Sequence, residues 1–272
     1  MNDKLTLLAK KIRENSLNMV AKVNASHIGS ALSCVEILSF LYGEYLHYDS
    51  KVPSLSNRDR FILSKGHAAA SLYATLSEVG YFPSEWLDNY CCDGGKLAGH
   101  ATHTSAPGVE VSTGSLGHGL PIGAGLALYA KRTQQNHRVC VLLSDGECDE
   151  GSNWESFLFA PAHQLGNLIV VIDYNKIQSF GSIDEIIPLE PLGDKLRAMR
   201  WHVQEINGHD FNEIRSAFTL CAEDPNKPHV IIAHTIKGKG VSFMEGKLAW
   251  HYKSPNKEEL QSALEEVRGG LK

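Results

Sequence analysis

Two short apolar runs, residues 138–144 (RVCVLLS) and 167–174 (NLIVVIDY), constrain the fold more than any other feature of the chain. Each is strand-length and unbroken by polar alternation, and the segment between them, 152–165, has helical spacing. A strand that is apolar on both sides must be covered on both sides, the condition of a parallel sheet between two layers of helices. Residues 229–235 (HVIIAHT) repeat the pattern and 202–206 (HVQEI) read as one more buried strand, with helical stretches at 192–200 and 211–221. In the first half, 60–64 (RFILS) reads as a strand, and 4–23, 33–46 and 68–79 read as helices with apolar residues three and four apart. The polar elbow 24–30 joins the first two helices. Residues 109–112 read as a brief strand inside the irregular, glycine- and histidine-rich stretch 91–119. The expected fold class is α/β: a mainly parallel sheet with helices on both faces, in a single domain over 1–272 with 253–272 as a peripheral tail.

Charge and length exclude several functions. The net charge of −5 is spread without a basic run, which gives no footing for nucleic acid or an anionic membrane as partner. No apolar run approaches the roughly 18 residues that cross a bilayer. Near the start, Leu5, Leu8 and Ile12 recur at helical spacing among charges, unlike the apolar core of a signal peptide. The six cysteines contain no C-x-x-C pair and read as reduced thiols, so a cytoplasmic location is expected.

The chemistry-bearing feature is a pair of residues that sequence separates and topology unites. Asp145 directly follows one apolar run and Asn175 the next, thirty positions later. In a right-handed βαβ unit both carboxyl ends emerge on one edge of the sheet, where open α/β sheets bind ligands. One carboxylate and one amide carbonyl suit Mg²⁺, which keeps waters or phosphate oxygens for its remaining positions; a Mg²⁺-bound diphosphate is the expected ligand. Taken singly, Asp145 would cap a helix and Asn175 make a turn. His27, His67, His100 and His251 lie in polar loops, where imidazoles can exchange protons near neutral pH. His47, His137, His163, His202 and His229 read as structural or surface residues, as do the loop residues His103, His118 and His209. Lys237, after the last apolar run, reads either as a diphosphate contact or as part of a solvated basic turn.

Ser144-Asp145-Gly146-Glu147 with Asn175-Lys176 resembles the thiamin-diphosphate motif, with serine where glycine is usual. The segments Ser26-His27-Ile28-Gly29-Ser30, Leu63-Ser64-Lys65-Gly66-His67, Gly99-His100, 108–117 (GVEVSTGSLG), 145–151 and 234–240 (HTIKGKG) with Trp250-His251 each resemble a transketolase segment, in family order. The resemblance implies a metal site of Asp145, Asn175 and the Ile177 carbonyl, holding Mg²⁺ with Ca²⁺ or Mn²⁺ as substitutes. It implies thiamin diphosphate contacts from Ser30, His67, Gly114, Ser115, Leu116, Gly146, Asn175, Lys237 and His251. It also implies catalytic or channel roles for His27, His67, His100 and His251. Glu150 matches the family glutamate that faces the twin site; read alone, it is a first-turn helix carboxylate. Ile28 and Ala101 stand where proline is common, and His118 where glutamine is frequent, departures that bear on substrate preference.

A full-length transketolase is more than twice as long, and its cofactor-activating glutamate comes from a second domain. The resemblance therefore implies the N-terminal subunit of a split transketolase, inactive alone and paired with a C-terminal-type subunit carrying the pyrimidine-binding domain, as an α₂β₂ assembly. Its reaction would move a two-carbon ketol unit from a ketose phosphate to an aldose phosphate. The alternatives are the alpha subunit of a thiamin-dependent 2-oxo-acid dehydrogenase and a non-catalytic cofactor-binding homologue.

Overall fold

The computed structural model describes residues 2–222 and 224–269, so the last three residues of the expected tail lie outside it. Five strands, β1 (Arg60–Leu63), β2 (Val139–Ser144), β3 (Leu168–Tyr174), β4 (His202–Asn207) and β5 (His229–His234), form one sheet in the order β1-β2-β3-β5-β4. Every neighbouring pair is parallel, as the apolar runs of β2, β3 and β5 predict; β4 departs from the buried reading, since at the sheet edge it is covered less and only Ile206 is buried. The helices are α1 (Asn2–Lys22), α2 (Ile28–Ser33), α3 (Val35–Phe40), α4 (Ala69–Glu78), α5 (Gly119–Arg132), α6 (Gly151–Ala162), α7 (Ile183–Ile186), α8 (Leu192–Ala198), α9 (Phe211–Leu220) and α10 (Lys257–Gly269).

Alternation along the strands divides the core in two. Cys140, Leu142, Ile169, Val171, Ile231 and Ala233 pack with α1, α2, α3, α4 and α9. Val139, Val141, Leu143, Val170, Ile172 and Ile232 pack on the other face with α5, α6 and α8. Each fully buried aliphatic side chain contributes ~1.5–3 kcal/mol, so coverage of both faces is the main source of stability. Among the described residues no helix is long and apolar enough to cross a membrane. Helix α10 lies against α1, burying Ala263, Leu264 and Val267.

Two local expectations are corrected. The stretch 33–46 is not one helix: Cys34, at φ −105° and ψ 14°, separates α2 from α3, and a π turn follows over Leu41–Tyr45. The break puts Ser33 at the end of β3, where it donates to Asp173, and Glu36 against Arg13 of α1. Residues 109–112 form no strand; side-chain anchors rather than a ladder hold them, with Glu110 paired to Arg58.

Parallel strands deliver all their carboxyl ends to one edge. Ser64, Asp145, Asn175 and Thr235 therefore follow β1, β2, β3 and β5 on the same side of the molecule.

Candidate active site

At that edge lies a cavity of about 290 Å³. A larger groove of about 750 Å³ runs between α1, the turn Ser84–Asn89 and α10, but no histidine or glycine-rich loop lines it, so size alone does not select the site.

One wall of the cavity carries oxygen donors. Asp145 accepts the N–H of Gly146 on Oδ1 (2.7 Å) and that of Lys176 on Oδ2 (2.5 Å), which brings its carboxylate beside the residue after Asn175. Asn175 is oriented from both ends of its amide: Nδ2 donates to Asp173 (3.4 Å) and Oδ1 accepts the N–H of Ile177 (3.2 Å). The carbonyl of Ile177 accepts from Nζ of Lys237 (2.9 Å). A carboxylate, an amide oxygen and a peptide carbonyl are the donors a hard divalent cation prefers. Burial, reinforced by the charge of Asp173, pushes Asp145 upward, a cost that a bound cation would remove, and the Ile177 carbonyl already faces a positive charge.

The remaining walls suit an anion. Lys237 is buried, and burial pulls its pKa down against the attraction of Asp145. A Cβ on Gly146 would come within 2.9 Å of Gln178, and one on Gly114, at φ +139°, within 2.8 Å of His100. Neither position has room for a side chain, and both leave the backbone open to close approach. The residues present fit both a divalent cation and a diphosphate.

Above this floor stands a histidine cluster. The ring of His27 lies 5.2 Å from His67, 5.7 Å from His100 and 4.9 Å from His251. His27 holds this place with left-handed backbone (φ 73°), its N–H donating to the His251 carbonyl at 2.8 Å. Such a conformation is uncommon outside glycine, and here the bond to the His251 carbonyl holds it. Burial, followed by the charges of His100, Lys237 and Lys65, pushes His27 down to about 4. Burial and Lys237 push His251 to about 3, and burial with Lys65 holds His67 well below the usual imidazole range. Lys237 donates to Nδ1 of His251 (2.9 Å), which leaves that ring neutral with its proton on Nε2. The Nδ1 of His27 is buried with no hydrogen-bond partner among the described residues.

Beneath the site is a fully buried polar layer. The ammonium of Lys65 pairs with Asp173 and donates to the carbonyl of Ser30 (2.9 Å). Burial alone would raise Asp173 and lower Lys65; their mutual attraction reverses both. Glu147, raised by burial, accepts from Ser64 Oγ (2.5 Å) and from the N–H groups of Gly117 (3.0 Å) and Ser144 (3.3 Å). It thus ties together the segments after β1, before α5 and at the end of β2.

Of the residues singled out by sequence, His27, Ser30, His67, His100, Gly114, Leu116, Asp145, Gly146, Asn175, Ile177, Lys237 and His251 all line the cavity. Ser115 and Glu150 do not; both are exposed, Ser115 between two lining residues and Glu150 at the start of α6. Sequence reasoning passed over Gln178, Ser179 and Tyr252, which also line it, and the supporting residues Asp173 and Glu147. Asp173 had a signal: a lone carboxylate inside an apolar strand must find a partner. His209 pairs with Glu36, His103 with Ser112, and His118 faces the carbonyls of Ser115 and Leu116.

Comparison with known proteins agrees with this geometry. The family described as transketolase, thiamine diphosphate binding domain, matches residues 5–268. The chain is 44% identical to an apulose-4-phosphate transketolase subunit from Actinobacillus succinogenes, over 98% of this chain and 96% of that one. It is 42% identical to the 6-deoxy-6-sulfo-D-fructose transketolase subunit SqwG of a Clostridium species, over 95% and 94%. Among solved structures, the transketolase of Campylobacter jejuni superposes with a TM-score of 0.93 at 34% identity, covering 98% of this chain and 43% of that one. The transketolase of Leishmania mexicana gives 0.93 at 29% identity, with 97% and 41% covered. The chain therefore spans about two-fifths of those two transketolases and nearly all of the two subunits. From the matched segment and the shared architecture together, this chain belongs to the transketolase family, within its thiamine diphosphate binding domain.

Proposed function

We propose that this chain is the N-terminal, diphosphate-holding subunit of a two-subunit transketolase, forming a single domain over 1–272. With a C-terminal-type partner it transfers a two-carbon ketol unit from a ketose phosphate to an aldose phosphate. The observation that carries this reading is the meeting, at one sheet edge, of the Asp145, Asn175 and Ile177 oxygens with Lys237 and four histidines. The subunit names of the two relatives support a partner chain and an anionic sugar as substrate.

In this reading Asp145, Asn175 and the Ile177 carbonyl hold Mg²⁺, with Ca²⁺ or Mn²⁺ able to replace it. Lys237 contacts the diphosphate, and Ser30, Gly114, Leu116 and Gly146 shape the cradle around it, with Ser115 between Gly114 and Leu116 at its outer side. Thiamin diphosphate, when bound, supplies the carbon centre that takes up the two-carbon fragment. The chain's own contribution is orientation and proton handling. His27, His67 and His251, kept neutral by burial, can accept a proton from a substrate hydroxyl or hydrogen-bond a developing oxyanion, and His100 completes the group. Glu150, exposed outside the cavity, is free to face a second copy across an α₂β₂ interface. The six free thiols fit a cytoplasmic protein.

The test is reconstitution. The purified chain, a candidate partner chain, thiamin diphosphate and Mg²⁺ should together transfer ketol units from a ketose phosphate, and neither chain should do so alone. Turnover by this polypeptide without a partner would refute the two-subunit reading.

A further inference from the structure

The turn that carries Lys237 is held on its own side by Glu245, whose Oε1 accepts the N–H of Gly240 (3.0 Å), and from behind by a second, buried carboxylate. Glu36 of α3 is buried; its Oε1 accepts from Nη2 of Arg13 (2.6 Å) and its Oε2 from the Nδ1–H of His209 (2.9 Å). Each of these two partners reaches on to the turn. Nε of Arg13 donates to the carbonyl of Lys239 (3.0 Å), and Nε2 of His209 accepts the N–H of Ile236 (2.8 Å). Because Nε2 accepts, the imidazole proton sits on Nδ1, where Glu36 takes it. The grips fall one residue before Lys237 and two after it. Between and beside them Gly238 (φ +79°) and Gly240 (φ +96°) give the turn little rigidity of its own. A Cβ on Gly240 would meet Nε of Arg13 at 2.7 Å, so the arginine lies flush against the backbone it holds.

We propose that Glu36, acting through Arg13 and His209, is a positioning residue that sets where the Lys237 ammonium stands in the cavity. The proposal rests on the reading of Lys237 as a diphosphate contact. Neither Glu36 nor His209 lines that cavity, so their effect passes through the backbone of residues 236–239.

Hydrogen exchange of the full chain, without cofactor, tests the clamp directly. His209→Ala and Glu36→Gln should each speed exchange of the amides of residues 236–240 by about tenfold, the effect of one lost charge-assisted hydrogen bond, and leave β2 and β3 unchanged. His209→Gln, whose amide can both donate to Glu36 and accept from Ile236, should restore protection. Unaltered exchange in both variants would overturn the proposal. Its consequence is read by titrating thiamin diphosphate with Mg²⁺ in a double-mutant cycle. His209→Ala should weaken binding about tenfold in the parent chain and less than about twofold in a Lys237→Met background, because the clamp then has nothing to position. Equal loss in both backgrounds would mark His209 as merely structural. If Lys237→Met binds as tightly as the parent, the diphosphate reading falls and the clamp's function with it. If Lys237→Met weakens binding and His209→Ala does not, only the clamp falls.

Discussion

The side chains of Lys65 and Asp173 form an ion pair with no solvent exposure on either partner, linking the residue after the Ser64 turn to the penultimate residue of β3. Asp173 also accepts from Ser33, Thr235 and Asn175, so one carboxylate anchors four segments of the site. Removing one partner leaves a buried charge uncompensated. Lys65→Met is expected to destabilise the chain by ~3–5 kcal/mol in chemical denaturation. Lys65→Met combined with Asp173→Leu should recover part of that loss, since no charge is then stranded. A double variant no more stable than Lys65→Met would refute this account.

Asp145 is the only carboxylate among the three proposed cation ligands, so it should control metal-dependent cofactor binding. At a hundredfold excess over its dissociation constant, thiamin diphosphate with Mg²⁺ should stabilise the parent chain by about 2.7 kcal/mol. Asp145→Ala should erase that stabilisation; because it also strands the N–H groups of Gly146 and Lys176, its cofactor-free melting temperature should fall somewhat, so the readout is the shift that cofactor and Mg²⁺ add. Differential scanning fluorimetry with and without Mg²⁺ decides it. A full shift retained by the variant would remove Asp145 from the site.

The histidine cluster makes stability depend on acidity in a direction that can be worked out. His27 titrates near 6.5 when unfolded and at about 4 in the folded chain. Its contribution is therefore complete above pH about 6.5 and is lost as pH falls from there to about 4, because the unfolded chain takes the proton first. His67 and His251 act in the same direction. Asp145, raised by burial, acts oppositely and regains stability as pH falls. Without cofactor or cation, the melting temperature of His27→Gln should decline less steeply over this window than that of the parent. Parallel curves would show that His27 is not held neutral by the fold.

Glu147 offers a test that separates shape from charge. Glu147→Ala strands the Ser64 hydroxyl and two backbone N–H groups, at an expected cost of about 3 kcal/mol. Glu147→Gln keeps one acceptor oxygen for Ser64 and Gly117 and should cost less. Both should weaken cofactor binding by loosening the Gly114–Gly117 segment. Denaturation midpoints that rank Gln below Ala would contradict this role.

Much of this was legible in the residues themselves. Unbroken apolar runs specify a parallel sheet, and the sheet brings Asp145 and Asn175 to one edge whatever lies between them. What stayed hidden depends on contacts that no local pattern encodes. Helix α5 went unassigned because Gly119, Gly123 and Gly125 lower helix propensity. Two of those glycines are there for packing: a Cβ on Gly123 would meet Val141 at 2.5 Å, and one on Gly119 would meet Ser64 at 2.2 Å. His209 looked like a surface histidine because its partner, Glu36, is 173 residues away in sequence. The break at Cys34 was invisible for a similar reason, since it serves Ser33 and Glu36, whose partners belong to other elements.

The 108 residues between Lys65 and Asp173 also set a timetable for synthesis. While a nascent chain has exposed only its first four helices, the lysine at their centre has no counter-ion and must stay hydrated. Closing those helices over Lys65 before β3 arrives would strand an ammonium or strip its proton, so the interior reaches its folded charge state only once Asp173 is in place.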